Sequence, residues 1–324
     1  MMRIRKAVTA YLVLTSLVSP GMAGAPAQVA YLSDFAASNP RSREIGDAFS
    51  GELKARGWVE GKNITIIRRY SDGSALRAGA LAAELIADRP EVIFAIAYPA
   101  AKAAAERTKT IPIVFTGVPD PVRLGLVKSL AAPGGNVTGA AWAGSIGRGM
   151  QLLQRTSPQI RRIGYLGYGR GDYWQLTVQH ATEAGKRLGV AVSLVPVGSD
   201  ADFAAAFAQL KRAGADAWVV SSIPLFRKHA KEIADFAIAH GLPTFAFSSP
   251  MAREGFLFAE SPDDLESVRR AAAILDKILR GAKPSDIPVE EPTRFHLTAN
   301  LKTARALGLQ LSPVILAGAD EIIP

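Results

Sequence analysis

The sequence predicts an α/β protein built as two lobes, each a parallel sheet covered by helices on both faces. Three observations carry this. Short β-branched apolar runs alternate with stretches of helical period from residue 28 to residue 259, the pattern of strands returned by crossover helices. The rhythm breaks after Trp142 and restarts at Ile146, so a second series follows the first. The chain has 324 residues with 48% hydrophobic content, enough for two cores at roughly 100–200 residues per domain.

The first series opens with an apolar run over 28–32 that ends at Ser33-Asp34. Ile45, Ala48, Phe49 and Leu53 then recur at helical spacing, and Gly57 stops that helix. A turn at Gly61-Lys62-Asn63 leads into a strand over 64–69, a helix over 76–87 closed by Pro90, and a strand over 92–97 that ends at Tyr98-Pro99. A helix over 100–107 follows. Residues 110–142 then read strand, loop, helix, turn and strand: Ile113 to Phe115, Gly117 with Pro119-Asp120-Pro121, an amphipathic run over 122–130, Pro133-Gly134-Gly135-Asn136, and Val137 onward. Asp120 stands just past a strand's carboxyl end. That is where open α/β sheets hold ligands, although an Asp there also suits a helix cap.

The second series predicts helices over 146–156, 173–188, 203–213 and 226–240, and strands over 163–166, 190–197, 218–221, 244–247 and 255–259. A long helix over 263–280, a proline-rich crossing over 284–292 and a short strand at 295–297 come next. Asn300 caps a helix over 301–307, and a last helix is expected over 313–322. Crossings near Trp142, Glu260 and Pro288 place residues 28–141 and 260–284 in the first lobe, and 142–259 and 285–324 in the second. This is a clamshell of two Rossmann-like lobes with a three-crossing hinge, and its ligand belongs between facing strand ends.

Residues 1–27 read as a cleavable export signal: a basic start through Lys6, an apolar segment over 7–18 too short to span a membrane, and Ala25-Pro26-Ala27 as the cleavage site. The formal net charge is +9; Arg3, Arg5 and Lys6 account for three of it, which leaves +6. The other basic residues come singly or in pairs such as Arg68-Arg69, so no nucleic-acid stripe is expected. With no cysteine there is no disulfide, no thiolate metal site and no lipid-modified N-terminal cysteine. A free periplasmic protein is expected.

Gly167-Tyr168-Gly169-Arg170-Gly171-Asp172 nearly matches a dinucleotide fingerprint but has Asp172 at the third glycine, where close helix packing needs Gly. It reads instead as a loop at the lobe mouth, and no cofactor is expected. His180, His229, His240 and His296 have neither metal-ligand nor triad spacing, and there is no nucleophile elbow, phosphate loop or carboxylate pair. Neither metal nor catalysis is predicted. What does stand out is a set of aromatic and small polar residues at predicted strand ends: Ser33, Tyr98, Pro99, Asp120, Trp142, Tyr168, Arg170, Ser222, Phe247 and Glu260. Their shared edge makes them the candidate ligand residues.

The whole mature chain resembles the substrate-binding proteins of ABC transporters, in particular the tryptophan-binding type with a type I two-lobe fold. The resemblance rests on Gly57-Trp58-Val59-Glu60-Gly61-Lys62-Asn63-Ile64, Ile111-Pro112-Ile113-Val114-Phe115, Asp120-Pro121-Val122, Pro133-Gly134-Gly135-Asn136-Val137-Thr138-Gly139, Asp276-Lys277-Ile278-Leu279-Arg280-Gly281-Ala282-Lys283-Pro284 and Asn300-Leu301-Lys302-Thr303-Ala304. It implies a monomeric periplasmic protein that closes on a small solute and presents it to an inner-membrane permease. Tyr98-Pro99-Ala100 stands where the family usually has Thr-Pro-Ala, Ser222-Ile223-Pro224 where relatives commonly carry an acidic loop, and Glu260 where a tyrosine is usual. Ile223 cannot pair with an ammonium, so an amino acid is disfavoured unless Glu260 or Asp120 supplies the carboxylate. The expected solute is a small aromatic or apolar molecule, a carboxylate on it being held by Arg170 or backbone donors. Three other readings are weaker or inseparable. An enzyme lacks a catalytic set, a two-lobe repressor needs a helix-turn-helix where the export signal stands, and a sensor that hands its closed form to a membrane receptor shares all these features.

Overall fold

The computed structural model describes residues 25–142, 146–169, 171–262 and 264–324. Most of the predicted export segment lies outside this range, and Ala27 already pairs in the first strand. The first body contains β1 (Ala27–Ser33), α1 (Pro40–Ala55), β2 (Ile64–Tyr70), α2 (Ala75–Ala87), β3 (Val92–Ile96), α3 (Tyr98–Arg107), β4 (Ile113–Pro119) and β5 (Val137–Trp142). Its sheet runs β2-β1-β3-β4-β5, parallel throughout. All five residues of β3 are buried, and the pleat divides them between faces. Val92, Phe94 and Ile96 join one core with Phe49 and Leu53 of α1, while Ile93 and Ala95 join another with Ala82 and Leu85 of α2. Both helices start where their sequence provides a cap. The Asn39 side chain accepts from the Arg41 N–H, and the Ser74 side chain from the Arg77 N–H.

The second body comprises α4 (Ile146–Thr156), β6 (Arg162–Tyr168), α5 (Gly171–Leu188), β7 (Ala191–Val197), α6 (Phe203–Arg212), β8 (Ala217–Val220), α7 (Pro224–Lys228), α8 (Ala230–Ala239), β9 (Thr244–Ala246), α9 (Ser249–Arg253) and β10 (Phe258–Pro262). After α10 (Asp264–Leu279) the chain returns to it with β11 (Phe295–Asn300), α11 (Leu301–Ala306), α12 (Pro313–Ala317) and β12 (Glu321–Ile323). The sheet order is β12-β11-β10-β9-β8-β6-β7, with β11 antiparallel to β10 and the other pairs parallel. The run β7-β6-β8-β9-β10 repeats the winding of the first sheet. In both bodies the direction reverses beside the first strand, at β1/β3 and β6/β8, which opens a crevice at the carboxyl ends.

Helix α10 lies on the first body, not the second. Val268, Ala271, Ala272, Ile274, Leu275 and Ile278 are buried in the core of α1, β1 and β3, and the Trp58 indole N–H donates to Asp276 at 2.8 Å. Ile287 and Val289 also pack there, and Glu290 exchanges backbone bonds with Gly139 and Ala141. The chain therefore passes between the bodies three times: from β5 to α4, from β10 to α10, and after Glu290 into β11.

Four elements differ from expectation. Residues 122–130 form successive turns instead of a helix; Gly125 at φ 72° reverses the chain, and Val127 enters the core without helical neighbours. The helix expected over 226–240 is two, joined at His229. The strand expected at 255–259 begins at Phe258, because Gly255 turns at φ 115°. The last helix stops at Ala317, and residues 321–323 become the edge strand β12.

Candidate functional site

The carboxyl edges of both sheets gather most of the residues singled out by sequence. Ser33 ends β1 and is buried, its hydroxyl accepting from the Phe35 N–H at 3.2 Å. Tyr98 and Pro99 open α3 directly after β3, and Pro99 presets the helical φ there. Asp120 follows β4, Trp142 ends β5, Tyr168 ends β6, Ser222 follows β8 and Phe247 follows β9. Glu260 lies within β10. Arg170 lies outside the described residues.

Two of these residues form an aromatic wall. The Trp142 and Phe247 rings meet edge to face with centroids 5.8 Å apart, and Phe245 adds a second edge contact to Phe247 at 5.2 Å. Ser222 holds this wall in place, since its hydroxyl accepts the Phe247 N–H at 2.8 Å. The registers Phe258↔Phe245 and Ala259↔Ala246 set Glu260 beside Phe247. Phe245, Phe247 and Phe258 share the core under α4, so the pleat turns the Glu260 side chain to that same face. There Arg148, from the first turn of α4, donates to Glu260 at 2.6 Å and lies 4.8 Å over the Phe295 ring. The pair is asymmetric: the carboxylate is 8% exposed and the guanidinium 52%. Burial pushes the Glu260 carboxyl above the ordinary range, and Arg148 only partly pulls it back. A buried acid whose pKa is shifted by desolvation beside a specific charge partner is a functional-site candidate.

A second acid with a raised pKa stands just past the carboxyl end of β1 in the first body. Asp34, next to Ser33, is raised by burial, with the Ser71 hydroxyl donating to it at 2.8 Å and lowering it in part. Asp34 is not among the strand-end residues singled out from the sequence, which include its neighbour Ser33. The strand-end position was the available signal, and Asp34 shares it.

Tyr98 and Asp120 are engaged with the other body. The Tyr98 hydroxyl donates to Asp172 at 3.0 Å, and Lys102 reaches the same oxygen at 2.5 Å. Asp120 lies 3.2 Å from His180 Nε2, and Arg123 lies 3.4 Å from Glu183. Asp172, His180 and Glu183 all stand on α5. The backbone at these strand ends is strained: Ala97 has φ 69°, and Asp120 has φ 39°. Non-glycine residues rarely take such angles, and they concentrate at ligand sites. Among the described residues no group of three or more His, Cys, Asp or Glu is placed to hold a metal ion.

Comparison with known proteins agrees with this architecture. The family described as ABC transporter substrate binding protein matches residues 36–323. A tyrosine-binding protein of Clostridioides difficile (strain R20291) is 28% identical over 278 residues, 84% of this chain and 79% of its own. Among solved structures, an ABC domain from Streptococcus pneumonia in complex with L-Trp has a TM-score of 0.83 at 23% identity, over 92% of this chain and 100% of its own. A conserved domain protein from Vibrio cholerae has a TM-score of 0.82 at 25% identity, over 91% and 99%. The family is one of binding proteins, not of enzymes. With two parallel-wound bodies, three crossings and a family match that spans nearly all the described residues, the chain belongs to the ABC transporter substrate-binding proteins.

Proposed function

We propose that the chain is the periplasmic solute-binding component of an ABC importer. It takes a small molecule with an aromatic or apolar body between its two lobes and delivers it to a membrane permease. The carrying observation is the partly exposed Trp142 ring on the buried Phe247 with the buried Glu260 carboxylate beside them, aromatic groups next to one charged group, as small-molecule sites are built. Solute bound to one lobe gains contacts from the other only on closure. That differential affinity shifts the population to the closed form, which the permease receives.

Glu260 also bears on the solute's polar end. The loop at Ser222-Ile223-Pro224 has no acid to meet an ammonium, and Asp120 is occupied by His180 and Arg123. Glu260 has one oxygen on Arg148 and retains acceptor capacity, so it fits an amine-bearing solute in spite of Ile223. The names of two relatives, one tyrosine-binding and one holding L-Trp, support aromatic amino acids as members of that class.

The test is a thermal-shift screen of residues 28–324 with L-Trp, L-Tyr, the corresponding aromatic acids without the amine, sugars and nucleosides. A specific solute at a hundred times its Kd adds about 2.7 kcal/mol of stability. Shifts with aromatic amino acids that vanish in Glu260→Gln support both the site and the amine. Shifts with the amine-free acids alone keep the aromatic site and exclude the role of Glu260. Sugar or nucleoside binding alone overturns the aromatic reading.

A further inference from the structure

The groups joining the two bodies lie along one helix. Asp172, His180 and Glu183 are spaced by eight and three residues on α5, about two turns and then one, so they share a face. Opposite them stand Tyr98 and Lys102, one turn apart on α3, and Asp120 with Arg123, one turn apart after β4. Each partner on the first body meets one on the second: Tyr98 and Lys102 meet Asp172, Asp120 meets His180, and Arg123 meets Glu183. Arg123 also lies 3.5 Å from Asp120, and Lys102 3.6 Å from Glu106, so the contacts form two clusters along α5, one around Asp172 and one around Asp120 and His180.

We infer that this row is a polar latch that populates the closed arrangement of the lobes before any solute binds. The inference rests on the two-lobe binding reading and adds a role that solute contact does not give to Tyr98, Lys102, Asp120 and Asp172. The electrostatics agree: Lys102 and Tyr98 hold the Asp172 carboxyl below its usual range, and Asp172 raises Lys102 in turn. Charged partners on the latch are about a quarter to three-fifths exposed, so each pair is individually weak. A weak latch suits a reversible closure. It biases the open–closed balance without locking the cleft, and a fractionally populated competent state scales the apparent Kd directly.

The test needs no solute. The chain has no cysteine, so a Lys62→Cys, Arg212→Cys double variant carries one fluorophore on each lobe at exposed positions. Single-molecule energy transfer on this ligand-free protein is expected to show a short-distance population alongside a long one. Asp172→Ala is expected to lower the closed-to-open ratio about threefold to tenfold, because it removes the bonds to both Tyr98 and Lys102, each of the strength usual for exposed pairs. Lys102→Ala shifts it the same way, and the double variant Lys102→Ala, Asp172→Ala goes little further than Asp172→Ala. Glu60→Gln, which breaks a pair with Arg68 inside the first body, leaves the ratio unchanged. A single long distance in the unsubstituted protein, or a ratio insensitive to Asp172→Ala, overturns the latch. Neither outcome touches solute recognition, and failure of the solute screen leaves the energy-transfer result standing.

Discussion

At the scale of single residues, function and strain coincide at the strand ends. Ala97 has φ 69° and ψ 161°, a region that is essentially glycine-only and costs about 1–3 kcal/mol for a residue with a Cβ. It is pinned there because its N–H donates to Thr116 at 2.9 Å while its carbonyl starts α3 by accepting from Ala101. Substitution Ala97→Gly removes the steric cost and adds about 0.5–1 kcal/mol of unfolded-state entropy. The net expectation is a gain of about 1 kcal/mol, seen as a melting temperature raised by roughly 2–4 °C. A lower melting temperature would show that Ala97 is relaxed in this geometry. The same strain was invisible in the sequence, where Ala97 ends an apolar run like any other alanine. Glu260 enters the sequence reading through its place at a predicted strand end, and its partner Arg148 lies 112 residues away and carries no local signal.

At the scale of elements, strands buried on both faces were read correctly from continuous β-branched runs, while amphipathic loops were not separated from helices. Val122, Leu126, Val127 and Leu130 have helical spacing, yet that spacing equally serves a turn series that sinks Val127 into the core. The α7–α8 corner is a comparable case, since the periodicity continues through the break at His229. There the imidazole stacks on Phe203 at 4.2 Å and bonds Glu232 at 2.8 Å and Asp200 at 2.6 Å. Burial pulls the His229 pKa down, but the two carboxylates outweigh it and the net direction is up. A raised folded pKa means that the protonated form is favoured by folding. The stabilisation is therefore complete below the unfolded value of about 6.5 and is lost as pH rises through the folded value. Urea melts across pH 5.5–8.5 are expected to show the gap between the unsubstituted protein and His229→Gln widest at the acid end and shrinking upward. A gap that grows with pH would mean that His229 is held neutral. Because the corner follows Ser222, loosening it should also disturb the hydroxyl that positions Phe247.

At the scale of the whole molecule, the two-lobe plan and its three crossings were legible because the strand–helix rhythm visibly restarts after Trp142. The bonds between lobes were not, since Asp172 and Tyr98 are 74 residues apart and meet only through the packing of both sheets. The chain's path also makes the first body discontinuous. Val268, Ile274, Leu275 and Ile278 of α10 complete the core around Phe49 and Phe94, and burying each is worth about 1.5–3 kcal/mol. Together they contribute about 6–12 kcal/mol, as much as the entire stability of an ordinary domain at about 5–15 kcal/mol. A fragment of residues 27–142 therefore lacks the margin to fold, although it contains all five strands of its sheet. Joined by a flexible linker to residues 264–290, which restore α10, the Trp58–Asp276 bond and the backbone pairing of Glu290, it is expected to unfold cooperatively in urea. A cooperative transition in the short fragment alone would show that α10 docks on a body already formed, and would recast the second and third crossings as tethers instead of parts of the first core.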